Sequence, residues 1–235
     1  GGRDYLATLV LSGLFFAGDL IFWHLSILHT TVANATLLAT MAPVWVFIVS
    51  ALVFGHRLRR AELAGLGVCI IGGAFLIRET LGIAPERLIG DLEGLATSLF
   101  FGLYILAITR ARRFAGPARI TFYSTAITAA CLLVAALVAE GDILPRSPRG
   151  WVVLAGLAFI SQAAGQGLLA FALGRLPVAF SSLVVFLEAV AAALLAWVLF
   201  GEALGPWQWL GGFFVLFGIW LARPRTPGEA SGRNG

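Results

Sequence analysis

The stretch LVFGHRLRRAELAGLGVCIIGGAFLI (52–77) has a partner in VLFGEALGPWQWLGGFFVLFGIWLA (198–222). Each copy reads apolar helix, Phe-Gly, short polar link, then a glycine-bearing apolar helix. The offset is 146 residues: Ala33 matches Ala179, Gly55 matches Gly201, Gly65 matches Gly211 and Gly72 matches Gly218. The first link carries Arg57, Arg59 and Arg60, while the second carries no arginine. A repeated hairpin whose links differ this way in charge predicts two copies that enter a membrane from opposite sides.

Working outward, the composition supports a membrane setting. The 235 residues are 60% hydrophobic and only 12% charged, about half the charged fraction of a soluble domain. Such a chain lacks the polar coat that a water-facing surface needs. A spanning helix takes about 20 apolar residues, with a range of about 17–25. Eight segments qualify: 5–27, 32–54, 61–77, 92–109, 120–139, 151–173, 178–200 and 207–222. Breaks such as Gly55-His56-Arg57, Gly116-Pro117 and Gly205-Pro206 separate them. The runs are twice the length of a barrel strand and do not alternate in polarity. The fold class expected is therefore an all-α membrane protein, a polytopic helical bundle with an inverted structural repeat.

The arginines set an orientation. All sixteen positive charges are Arg. A chain that zigzags puts twelve of them (Arg3, 57, 59, 60, 110, 112, 113, 119, 175, 223, 225, 233) at one end of the bundle and four (Arg78, 87, 146, 149) at the other. The positive-inside rule assigns the richer side to the cytoplasm. Both chain ends then fall there, in a multi-pass protein of a cell inner membrane. Trp151, Trp207 and Trp209 fall at the opposite interface and Trp220 near the inner one.

Five helices separate the two hairpins, and an odd number inverts the second copy. Inverted repeats with a site near the bilayer midplane characterise secondary transporters. The chain divides into a partial first repeat of three helices (1–78), a second repeat of five (91–223) and a disordered cytoplasmic tail (224–235). By this count two helices precede Tyr5 in a complete version, giving ten; the chain starts with Gly1, and Met41 is its single methionine.

TVANATLLATMAPVWVFIVSALVFGHRLRRAELAGLGVCIIGGAFLI (31–77) and LPVAFSSLVVFLEAVAAALLAWVLFGEALGPWQWLGGFFVLFGIWLA (176–222) resemble the EamA-type members of the drug/metabolite transporter superfamily. Pro43 stands at the mid-helix proline of the first repeat, and Glu188-Ala189 at the matching step of the second. Gly201-Glu202 keeps a Gly-Glu step that Gly55-His56 departs from. The resemblance implies ten helices in two inverted halves, alternating access, and movement of amino acids, related metabolites or drugs.

Two charges, Asp19 and Glu188, lie well inside spans. A charge at the bilayer centre costs about 2.5–3.5 kcal/mol on insertion scales, so each needs a cavity, a partner or a proton. Both are candidates for proton coupling; the alternative is a carboxylic acid bonded to a neighbouring helix. Ser12, Phe16, Asp19 and Trp23 share a helix face. So do Asn34, Leu38, Met41 and Trp45, and Thr97, Phe101 and Tyr104; Gln162 and Gln166 are one turn apart. These polar and aromatic side chains suit a small organic substrate. Asp19, Trp23, Asn34, Trp45, Tyr104, Gln162, Gln166 and Glu188 form the candidate substrate site, with interhelical packing as the competing role. Thr121, Ser124, Thr125 and Thr128 form a hydroxyl face that reads first as packing.

No metal or other cofactor is expected: His24, His29 and His56 are scattered, and Cys69 and Cys131 sit in apolar runs. An intramembrane enzyme acting on a lipid or small molecule is the alternative function, although HExxH and GxSxG motifs are missing. The expected partners are a small-molecule substrate, the lipid bilayer and a second copy in a homodimer, with no nucleic acid.

Overall fold

The computed structural model describes residues 2–76, 78, 85–139, 144–200 and 205–224. Eleven α-helices are seen among them: α1 (Gly2–His29), α2 (Val32–Ala39), α3 (Ala42–Leu52), α4 (Arg60–Leu76), α5 (Leu88–Ala111), α6 (Pro117–Ala139), α7 (Pro148–Gly156), α8 (Gly167–Leu173), α9 (Val178–Leu183), α10 (Leu187–Phe200) and α11 (Pro206–Ala222). A π-helix (Leu157–Gln166) joins α7 to α8, and a 3-10 turn (Val184–Phe186) joins α9 to α10. Five expected spans match single helices and three match helices with an internal change of geometry, so the eight paths are recovered. Six are long and apolar enough to cross a bilayer. The remaining two, α4 and α11, have 17 residues each, about 25 Å of helix.

The ends of several helices fall earlier than the hydropathy suggests. α6, α7 and α11 begin on Pro117, Pro148 and Pro206 rather than on Ile120, Trp151 and Trp207. A proline in the first helical turn loses nothing, because that turn has no acceptor for its N–H. Ser147 caps α7, accepting the Gly150 N–H at 3.2 Å.

Two spans expected to be continuous are broken, and at matching places. The first breaks at Thr40-Met41, between α2 and α3. Pro43 has no N–H to return to the Ala39 carbonyl. The Met41 and Val44 N–H groups bond three residues back instead, to Leu38 (3.1 Å) and Met41 (2.9 Å). Thr40 Oγ1 donates to the Leu37 carbonyl at 2.7 Å. Shifted by the repeat offset, this break falls on Phe186-Leu187, where the 3-10 turn meets α10.

Two cores hold the bundle. One gathers Leu9 and Phe16 of α1, Val46 of α3, Tyr104 and Ile105 of α5, Ile120 of α6 and Leu173 of α8. The other joins Phe47 of α3, Cys69 of α4, Leu183 of α9, Phe186 of the 3-10 turn and Val215 of α11. α3 faces both, so it is the shared wall. In the second core α4 crosses α11 at glycines. A Cβ on Gly72 would stand 2.8 Å from the Gly211 carbonyl oxygen, and one on Gly65 would stand 2.6 Å from that of Gly218. Residue order reverses between the partners, so the two helices run antiparallel.

Side-chain contacts identify the two ends of the bundle. At one end Arg119 lies over the Tyr5 ring at 5.7 Å, Arg59 donates to the Ala222 carbonyl at 2.9 Å and Arg112 to that of Ala170 at 2.9 Å. The start of α1 and the end of α11 are thus gathered with these arginines. At the other end Thr30 donates to Asp91 at 2.8 Å, His29 meets Glu93 at 2.8 Å, and Arg78 lies 3.9 Å from the centre of the Trp207 ring. Trp151, Trp207, Trp209 and Trp220 are all exposed, as are large apolar side chains such as Leu52 and Val138 on the outer faces. Lipid would solvate that surface. Gly201-Glu202, Arg225, Arg233 and nearly all of the expected tail lie outside the described residues.

Candidate functional site

Four of the eight sequence candidates come together in the middle of the bundle. Asp19 is buried on α1. One turn earlier, Phe16 stacks on the Tyr104 ring of α5, with centroids 4.7 Å apart. Phe101 also stacks on Tyr104, with centroids 6.0 Å apart. The Tyr104 hydroxyl donates to Gln166 Oε1 at 2.9 Å, linking α5 to the end of the π-helix. Asp19 is within electrostatic reach of both Tyr104 and Glu188. Glu188 opens α10, directly after the 3-10 turn, and its side chain is exposed. A carboxyl, a phenol and an amide therefore gather from three parts of the chain against an aromatic wall, with the Glu188 carboxyl within electrostatic reach of Asp19.

The local sequence explains this convergence. Asp19 and Phe16 share a face by helical spacing. The break after Phe186 lets Glu188 start a new helix at mid-depth; the first turn of a helix favours a carboxylate, because its N–H groups present a partial positive charge. Π-helical segments recur at functional sites in general, and this one delivers Gln166.

The other four candidates are placed elsewhere. Asn34 is buried and its Nδ2 donates to Asp91 Oδ1 at 3.2 Å, beside Thr30. Trp45 Nε1 donates to Ser98 Oγ at 2.9 Å. Gln162 Nε2 donates to Thr125 Oγ1 at 2.9 Å, in a groove of about 640 Å³ between α6 and the π-helix. Trp23 is half-buried and meets His24 edge-on at 5.4 Å. The hydroxyl face of α6 divides. Ser124 accepts from Ser12 at 3.1 Å and Thr128 donates to the Gly13 carbonyl at 2.9 Å, both on α1, whereas Thr121 and Thr125 line the groove. Among the described residues no group of three His, Cys, Asp or Glu is placed to hold a metal ion.

The EamA-like transporter family matches residues 88–223, more than half of the chain. The chain belongs to this family. The EamA-like chain is also 28% identical over 197 residues to an uncharacterized transporter of Archaeoglobus fulgidus, covering 84% of this chain and 69% of that one. It is 27% identical over 210 residues to a probable terminal-alkyne amino-acid exporter of Streptantibioticus cattleyicolor, covering 86% and 67%. It is 26% identical over 159 residues to the pseudopaline exporter of Pseudomonas aeruginosa, covering 68% and 55%. A protein crystal structure superposes with a TM-score of 0.79 at 22% identity, over 92% of this chain and 76% of that one, which shows a common fold. The EamA-like chain is thus a multi-pass helical membrane protein of a family of small-molecule transporters.

Proposed function

We propose that this EamA-like protein is a secondary transporter that moves small organic metabolites, amino acids or related compounds, across the inner membrane by alternating access. One observation carries the reading: both copies of the repeat break a spanning helix at equivalent positions, and the second break delivers Glu188 toward Asp19. Discontinuous helices at matched positions of two inverted halves are the way secondary transporters build a midplane site. The names of the amino-acid and pseudopaline exporters support the substrate class and favour export.

In this reading Tyr104 and Gln166 orient a polar group of the substrate, and Phe16 and Phe101 hold the tyrosine ring in place. A proton or a cationic amine taken up by the Asp19 and Glu188 carboxyls would couple proton movement to substrate movement. The arginine-rich end, with both chain ends, faces the cytoplasm.

The test is flux in proteoliposomes loaded with a panel of amino acids, with and without an imposed pH gradient. At least one compound should cross chemically unchanged and at a rate set by the gradient, and the Asp19→Asn/Glu188→Gln double variant should lose that flux. Chemical conversion of a compound without net movement would support the intramembrane-enzyme alternative instead.

A further inference from the structure

The arginine-rich end contains a cavity of about 800 Å³ between the link after α3, the ends of α5 and α11 and the start of α9. His56, Arg57, Arg59, Arg110 and Arg113 line it, and Glu62 is its single carboxylate. Glu62 is already committed: it accepts the Arg59 backbone N–H at 2.8 Å and Arg59 Nη2 at 3.1 Å. Arg57, Arg110 and Arg113 have no carboxylate partner among the described residues and are exposed. The inner wall holds Ser50, which is 1% exposed, with a hydroxyl that has no hydrogen-bond partner among the described residues.

Charge bias toward the cytoplasm explains arginines in links, but not a hollow between them or a buried hydroxyl left without a partner on its wall. An unmade hydrogen bond at a buried hydroxyl is a cost that a ligand can remove. Three such guanidiniums around a concave, partly enclosed surface raise the local concentration of anions, and guanidinium groups match carboxylates in bidentate geometry.

We infer that this vestibule is a capture site for the carboxylate of an anionic metabolite, held by Arg57, Arg110 and Arg113 with Ser50 donating a hydrogen bond at the inner wall. The inference rests on the transport reading and narrows its substrate class to compounds with at least one free carboxylate, taken from the arginine-rich side. Glu62 fixes Arg59 against α11 and so sets the shape of that wall.

The probe is citrate, added to the detergent-purified protein while thermal unfolding is followed; sodium chloride at matched ionic strength measures screening alone. Citrate should raise Tm well beyond the salt control. Ser50→Ala should weaken citrate about tenfold, the loss of one hydrogen bond to a charged group, and Arg110→Gln/Arg113→Gln should abolish the shift. Arg110→Lys/Arg113→Lys keeps the charge and should retain part of it. Equal shifts from citrate and chloride, or a citrate shift unchanged in both the serine and glutamine variants, would overturn the assignment. An anionic lipid headgroup presents the same chemistry. Repeating the titration in nanodiscs separates the sources: citrate should still act in phosphatidylglycerol discs, and protection by that lipid with no further citrate effect would sink the metabolite site. Loss of citrate binding with flux intact removes this inference alone; citrate binding with no flux of any compound removes the transport reading alone.

Discussion

The Cys69 thiol donates to the Val215 carbonyl across 3.6 Å, and the two residues are 146 positions apart, the offset that relates Gly65 to Gly211 and Gly72 to Gly218. Cys69 thus meets its own counterpart, while Gly65 meets the counterpart of Gly72 and Gly72 that of Gly65, two turns along. Two equivalent helices that cross antiparallel with this exchange of partners are related by a local two-fold axis near Cys69 and Val215. An inverted repeat has that symmetry, and glycine lets the two backbones reach it.

The first prediction concerns that crossing. Gly72→Val places side-chain atoms where the Gly211 carbonyl and the Val215 backbone already stand. Overpacking of this kind costs about 1–3 kcal/mol, and here the obstacle is backbone, which cannot rotate away. Gly67 lies on the same helix, and a Cβ added there would meet nothing within 4 Å, so Gly67→Ala should not lower stability, since alanine is the better helix former. Thermal unfolding in detergent should show a clear drop for Gly72→Val and none for Gly67→Ala; equal behaviour would mean that α4 and α11 do not meet as described.

The second prediction concerns the carboxyl pair. If Asp19 and Glu188 share a proton during the cycle, removing either ionisable group removes a titration from the rate. Asp19→Asn and Glu188→Gln should each fold, since an amide replaces a carboxyl of nearly equal size, and each should flatten the dependence of flux on pH. A wild-type profile in Glu188→Gln would exclude that residue from coupling.

The eight helical paths and the repeat were readable in the sequence because lipid imposes one strong rule: a long apolar run with its backbone bonds satisfied internally. Asp19 and Glu188 stood out because a charge is costly at that depth. The break at Thr40-Met41 was half visible through Pro43. The matching break at Val184–Phe186 carries no proline, and nothing in a Val-Val-Phe run marks it; it shows only once Phe186 is seen fully buried against α4, α9 and α11. Periodicity places Asn34 and Trp45 on a face but does not reveal Asp91 or Ser98, which lie 57 and 53 residues away and take their hydrogen bonds. The arginines were legible as a marker of orientation, whereas the hollow between them depends on four segments distant in sequence.

The third prediction tests whether Tyr104 and Gln166 act on substrate or only on each other. Tyr104→Phe leaves the half-buried Gln166 amide without its donor, at a cost toward the low end of the ~1–3 kcal/mol of an unmade buried hydrogen bond. Replacing Gln166 with Leu as well removes the orphaned group, so the double variant should recover stability relative to Tyr104→Phe. Flux should not recover with it. If unfolding and flux return together, the pair is a structural link between α5 and the π-helix and touches no substrate.

The last prediction is topological. Arg119 over Tyr5 and Arg59 on the Ala222 carbonyl put the start of α1 and the end of α11 at one end of the bundle, while Thr30, Asp91 and Trp207 mark the other. By the positive-inside rule, the excess of arginine at the first end predicts that this end faces the cytoplasm. Fluorescent protein fused to the C-terminus should therefore mature and glow, and alkaline phosphatase fused there should stay inactive. A single cysteine introduced by Arg87→Cys, in a background with Cys69 and Cys131 replaced by alanine, should react with an impermeant maleimide added to intact cells, and Arg57→Cys should react only after lysis. The reverse pattern would invert the protein in the membrane and turn the arginine vestibule into an external mouth, so that a carboxylate captured there would be bound for uptake instead of export.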